Sequence, residues 1–248
     1  MEKMDLKQFN EQFTAFLATT SDYDEILSTG RKMVGALVSS EEWLNETLTR
    51  LTLDDEFLES QYHSVDYNEI TLYRSPDKRF SVRAFIWEPY KQYPVHDHGS
   101  WGIIGAYSNQ TREKKFEILS SSPDDTFEIK LQADAVISPG ETAFTLPLDK
   151  GVHQLSAASG NTSITVHVYG SPVRKGYIQV YDLDYNKIRR IYPPTIYKRV
   201  LALRAMGSMK SDWARQVLEE ANLSTALPEF IKMESQAALL QQQKRKQS

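Results

Sequence analysis

Between about positions 64 and 192 the apolar side chains recur at every second residue, and on either side of that run they recur at every third or fourth. A period of two belongs to strands and a period near 3.6 to helices, so the chain has to fold as a β region carrying helical pieces at both ends. In residues 1–61, Leu6, Phe9, Phe13, Phe16 and Leu17 fall at helical spacing, and Ser39 with Glu42 forms a capping box ahead of Trp43, Leu44 and Leu48; this is a helical layer. Residues 64–192 hold short Val-, Ile-, Thr-, Phe- and Tyr-rich runs broken by Ser75-Pro76, Pro139-Gly140, Asp149-Lys150-Gly151 and Ser159-Gly160-Asn161. That punctuation predicts many short antiparallel strands in a sandwich or barrel. After Pro193-Pro194, residues 195–240 return to helices through Tyr197, Val200, Leu201 and Leu203, then Trp213, Val217 and Leu218, and the polar end from Gln241 is expected to fray. With no repeat and no long linker, the expectation is one domain over 1–248, mainly β with helical additions at both ends.

Composition narrows the chemistry. The 248 residues include no cysteine, which excludes a disulfide scaffold, a zinc ribbon, an iron–sulfur site and a cysteine nucleophile, so any metal must be held by His and carboxylate. A net charge of −4 gives no electrostatic case for nucleic acid or an anionic membrane. The first residues lack the order of a signal peptide and no apolar run is long enough to span a bilayer, so a cytoplasmic location is expected.

Four of the five histidines, His96, His98, His153 and His167, fall inside the β region, and His63 stands at its entrance. In Tyr93-Pro-Val-His-Asp-His98 two imidazoles two residues apart on a strand project from one face, a geometry that chelates one metal from a rigid element. His153 follows the Asp149-Lys150-Gly151 turn, where an antiparallel neighbour can bring it beside the first two. On the strand from Ser163 to Tyr169, alternation puts Ile164, Val166 and Val168 on one face and Thr165, His167 and Tyr169 on the other. Buried hydroxyl, imidazole and phenol groups must find partners, so the second face reads as a hydrogen-bond or proton relay beside a metal-bound ligand.

Pro94-Val-His-Asp-His-Gly-Ser-Trp-Gly-Ile-Ile-Gly105, then Gly151-Val-His153, then Thr165-Val-His-Val-Tyr-Gly170 resemble the thiol dioxygenases, the group of cysteine dioxygenase and 3-mercaptopropionate dioxygenase, over roughly Tyr67 to Pro172. The resemblance implies a cupin double-stranded β-helix barrel with Fe(II) on His96, His98 and His153, and with Thr165, His167 and Tyr169 where the family has its Ser-His-Tyr relay. It implies addition of both atoms of O2 to the sulfur of a small thiol, giving a sulfinate. The acidic ligand usual in cupins a few residues after His-x-His is absent, its place filled by Ser100, Trp101, Gly102 and Ile103, so three neutral ligands would leave about three positions of an octahedral metal open.

Two departures stand out. Gly102 lies near the position where animal members carry a cysteine cross-linked to the relay tyrosine, so no cross-link forms. Where the family anchors its substrate carboxylate with Arg or Gln, this chain has Glu69 in Tyr67-Asn68-Glu69; a shifted register offers Arg74 instead, and Arg83 shares a face with Phe85 and Trp87. A carboxylate cannot anchor a carboxylate, so the substrate is expected to carry an amine or to differ from the family's usual acids. A three-His cupin metalloenzyme acting on another small molecule, and a non-enzymatic ligand-binding cupin, are the competing readings. The expected partners are a small molecule and O2, with neither nucleic acid nor membrane, and the C-terminal helices leave a homo-oligomer interface open.

Overall fold

The computed structural model describes residues 4–40, 42–61, 65–209 and 211–247; His63 and Ser64, at the entrance to the expected β region, lie outside them. The chain forms two compact units, Met1–Ile191 and Tyr192–Ser248, which the sequence reading takes together as one domain. Among the described residues of the first unit four helices, α1 (Leu6–Leu17), α2 (Tyr23–Val38), α3 (Asn45–Leu53) and α4 (Asp55–Ser60), precede eleven strands. These are β1 (Glu69–Arg74), β2 (Phe80–Trp87), β3 (Val95–His96), β4 (Gly102–Ser108), β5 (Thr111–Ser121), β6 (Phe127–Ile137), β7 (Thr142–Thr145), β8 (His153–Ala157), β9 (Ser163–Gly170), β10 (Ile178–Asp182) and β11 (Lys187–Ile191).

The strands pair antiparallel in two sheets, ordered β1-β2-β9-β4-β7 and β11-β10-β3-β8-β5-β6. The inner eight strands, β2-β9-β4-β7 and β3-β8-β5-β6, have the order of two interlocked Greek keys, which is the jelly roll of the cupins. The fold is therefore the double-stranded β-helix that the period of two and the motif order imply, extended at one edge by β1 and at another by the β10–β11 hairpin.

Alternation along β2, β4 and β9 divides the five-stranded sheet cleanly. Val82, Ile103, Val166 and Val168 are buried together with Phe9, Phe13, Val34 and Val38, so α1 and α2 cover one face. Arg83, Phe85, Trp87, Ile104, Thr165, His167 and Tyr169 take the other face, inside the barrel. The helix lies close to the sheet because a glycine stands at each crossing point. A Cβ on Gly30 would fall 2.4 Å from Ile103 Cδ1, and one on Gly105 would fall 2.7 Å from Val34 Cγ1.

The capping box expected at Ser39 and Glu42 does not form. Ser39 is the C-cap of α2, in the helical region with its N–H donating to Gly35 O and Leu37 O, and Glu42 adopts a φ of 71° in the following turn. Helix α3 starts only at Asn45, without a side-chain cap, so Trp43 and Leu44 precede it. Leu44 instead packs from that turn onto Ile70 and Ala84. The second unit comprises α5 (Pro194–Gly207), α6 (Asp212–Leu223) and α7 (Glu229–Gln247), with Val200, Leu203, Ala214, Leu218, Ile231 and Ala238 buried. Its polar end, expected to fray, continues α7 to Gln247, Gln, Lys and Arg being good helix formers. The Gln242 amide also ties it down, donating to Met206 O at 2.8 Å. No helix among the described residues is long and apolar enough to cross a membrane.

Candidate metal centre

His96 ends the two-residue strand β3, and its direct antiparallel partner is His153, the first residue of β8. Directly opposed residues on paired strands project to the same side, so the register alone brings these two rings together. His98 lies beyond the end of β3, not on the strand as the two-residue spacing suggests, yet its ring keeps to the same side. What holds it there is Asp97 between the two histidines. The Asp97 carboxylate is buried on the opposite side, accepts from Arg174 Nη1 at 2.7 Å and again from Arg174 Nη2, and takes the Gln179 N–H at 2.8 Å. A buried bidentate arginine–carboxylate pair fixes geometry on both oxygens, and here it fixes the peptide that presents the histidines.

The three rings form a nearly equilateral triangle with centroid separations of 4.7, 4.9 and 5.0 Å, and one nitrogen from each lies within 4.8 Å of the others. His153 Nδ1 donates to the buried Glu113 Oε1 at 2.8 Å, and His96 Nδ1 donates to Pro94 O at 3.0 Å, so in both residues the Nε2 lone pair is left for the centre. His98 Nε2 and His153 Nε2 are 2.9 Å apart. Neighbouring ligands about 2.1 Å from one ion at right angles stand about 3 Å apart, so the spacing suits a shared cation. Burial, and then the neighbouring imidazoles, hold the His96 ring down to about pKa 3 and His98 well below the ordinary histidine range, which keeps their lone pairs unprotonated. The three histidines can therefore hold a metal ion.

Against this triangle stands β9. Trp87 Nε1 donates to Thr165 Oγ1 at 2.8 Å; Thr165 Oγ1 and His167 Nε2 are 2.8 Å apart, as are His167 Nδ1 and the Tyr169 hydroxyl. Indole only donates, so Trp87 takes one Thr165 lone pair, and the second lone pair and the hydroxyl hydrogen let Thr165 either accept from or donate to His167 Nε2. The neutral His167 ring thus bridges the two hydroxyls, donating to one and accepting from the other. Burial keeps His167 neutral and raises Tyr169 far above the usual phenol range. The Tyr169 ring lies 4.9 Å from that of His98, and Gly102 makes the room: a Cβ there would stand 2.9 Å from Tyr169 Cε1.

Of the three residues considered for substrate binding, Glu69 and Arg83 come together and Arg74 does not. Arg83 Nη1 donates to Glu69 Oε2 at 2.8 Å, and its guanidinium lies 5.4 Å from the centroid of the Tyr169 ring. Arg74 ends β1 opposite Ser81 and is exposed. Two functional neighbours escape the sequence reading. Glu113 sits in Thr111-Arg-Glu-Lys-Lys115, where charged residues occupy both faces of β5 and conceal the one that turns inward. Asp97 is hidden by its two histidine neighbours, and only Arg174, far along the chain, reveals its task.

No family model matches the chain. Among solved structures, a cupin 2 conserved barrel domain protein from Rhodopseudomonas palustris is 13% identical, with 47% of this chain and 67% of that one covered and a TM-score of 0.36. A double-stranded β-helix protein from Klebsiella pneumoniae is 11% identical over 50% of this chain and 92% of its own, with a TM-score of 0.34. A hydroquinone 1,2-dioxygenase in complex with Cd2+ and 4-hydroxybenzonitrile is 10% identical over 46% and 70%, also at 0.34. The strand order and the histidine triangle together define a cupin barrel with a three-histidine site able to bind a metal.

Proposed function

We propose that the chain is a non-heme Fe(II) dioxygenase that adds O2 to the sulfur of a small thiol other than a standard thiol carboxylate. The supporting observation is the pairing of three convergent imidazoles with a buried phenol held by a hydrogen-bonded row behind it. The resemblance of the three motifs to thiol dioxygenases supports the choice of substrate atom. The reaction is R–SH + O2 → R–SO2− + H+: sulfur gives up four electrons, O2 takes them, the O–O bond breaks and two S–O bonds form, so no further reductant is needed. His96, His98 and His153 hold the ion, imidazole being a ligand that suits iron. When bound, Fe(II) supplies the electron-transfer chemistry that lets ground-state O2 react with a thiolate.

The protein's other groups prepare the place. Glu113 fixes the tautomer and orientation of His153. Tyr169 Oη offers its proton toward the reacting oxygen atoms and keeps its place through His167 and Thr165. Phe85, Trp87, Ile104 and Leu155, all buried, exclude water beside them.

Anaerobic reconstitution followed by metal analysis and O2 uptake with a panel of thiols tests the reading. One iron per chain is expected, lost in each of His96→Ala, His98→Ala and His153→Ala, with one O2 consumed per thiol and a sulfinate detected by mass. Iron binding without O2 uptake for any thiol would overturn the activity, and retention of iron in one of the variants would remove that ligand.

A further inference from the structure

The two oxygens of the Glu69 carboxylate are unevenly used. Its side chain is 3% exposed, Oε2 takes Arg83 Nη1 at 2.8 Å, and Oε1 is buried with no hydrogen-bond partner among the described residues. A buried polar atom left in this state costs about 1–3 kcal/mol, more when charged, so an acceptor kept unpaired on the inner wall calls for a donor. Its place in the sheet says where that donor comes from. Glu69 is directly opposite Phe85, which is opposite Thr165, and the Phe85 ring is 4.4 Å from that of His167; opposed residues share a face, so Glu69 belongs to the inner wall. The guanidinium of its partner Arg83 lies 5.4 Å from the centroid of the Tyr169 ring.

The local charge favours a cation. Arg83 is engaged by Glu69 and, through Nε, by Ser81 Oγ at 3.3 Å. Asp66 lies close enough to both for their charges to act on it, and burial with the Glu69 charge pushes its carboxyl up to about 6. The Arg83 guanidinium is already taken up by Glu69, and an incoming carboxylate would meet like charge, at a cost of several kcal/mol.

We infer that Glu69 Oε1 accepts a hydrogen bond from the ammonium group of the substrate, which makes the preferred ligand a short thiol carrying a primary amine and no carboxylate. This rests on the thiol dioxygenase reading and adds the substrate class to it. A charge-assisted bond to a buried carboxylate discriminates by about 10- to 100-fold against a ligand of the same length that cannot make it.

The test is anaerobic calorimetric binding of 2-aminoethanethiol, 2-mercaptoethanol and 3-mercaptopropionate to the iron-loaded protein and to Glu69→Gln. The unmodified protein should bind the aminothiol at least about 10-fold more tightly than the neutral alcohol and bind the acid most weakly. Glu69→Gln should bring amine and alcohol within about 2-fold. Equal binding of amine and alcohol by the unmodified protein, or tightest binding of the acid, overturns the inference without any variant having to fold. The two proposals fail separately: an amine preference in binding with no O2 uptake for any thiol removes the dioxygenase and leaves the amine site, and O2 uptake with all three thiols without preference does the reverse.

Discussion

Glu113 is the group whose removal should speak most directly about the metal centre. Its carboxylate and the His153 ring are 4% and 1% exposed and 2.8 Å apart, so the bond between them is shielded from competing water. Glu113→Gln keeps the volume and an acceptor oxygen and removes the charge. A hydrogen bond to a charged partner contributes about 1.5–3 kcal/mol and a neutral one about 0.5–1.5, so the loss is about 1–1.5 kcal/mol, or about 10-fold in metal affinity. Glu113→Leu goes further, leaving the His153 Nδ1–H buried without an acceptor and the ring free to change tautomer, and should reach the 100-fold end of the range for such partners. Affinity is measured by competition with a chromophoric chelator, alongside the melting of the metal-free variants. The expected order is unmodified, then Gln, then Leu, with intact metal-free folds. Equal affinity in all three proteins would refute the argument that Glu113 acts on the metal through His153.

Tyr169→Phe should keep its iron and lose turnover by about 10- to 100-fold, read by metal analysis and O2 uptake; unchanged turnover would reduce the β9 row to packing. Gly102→Ala puts a methyl 2.9 Å from Tyr169 Cε1 and 3.0 Å from Thr145 Cγ2, and should cost about 1–3 kcal/mol in denaturant unfolding while lowering turnover as the phenol is displaced. Asp66, raised from 3.8 to about 6 chiefly by burial, binds its proton more tightly folded than unfolded, so its contribution to stability is present at low pH and is lost as pH rises toward about 6. Asp66→Asn should therefore gain on the unmodified protein by about 2–3 kcal/mol at pH 7 and hardly at all at pH 3.5; a difference independent of pH would disprove this.

The β fold was legible because alternation survives wherever the two faces of a strand meet different surroundings, as in Ser163–Gly170, where Val166 and Val168 pack under the helices while Thr165, His167 and Tyr169 line the barrel interior. The His96–His153 meeting was legible from the turn before His153. Capping at Ser39 misled because a Ser followed three residues later by Glu marks a helix start only if the Ser has left the preceding helix, which tertiary packing decides. Asp97–Arg174 and Glu113–His153 were not legible, since each joins residues whose separation along the chain is closed only by strand pairing. Glu69 was visible as a wrong charge for a familiar place; its pairing with Arg83 needed the β1–β2 register.

The row from Trp87 to Tyr169 has a closed end. Beyond the indole N–H no group of the row remains to take or supply a proton, and the indole itself neither accepts nor releases one in the working range. A proton conduit needs an outlet at each end; this row has one, at the Tyr169 hydroxyl. It behaves as a cul-de-sac: any proton that leaves the Tyr169 hydroxyl has to come back by the side it left. Such an arrangement insulates the histidine triangle from bulk acidity on the β9 side.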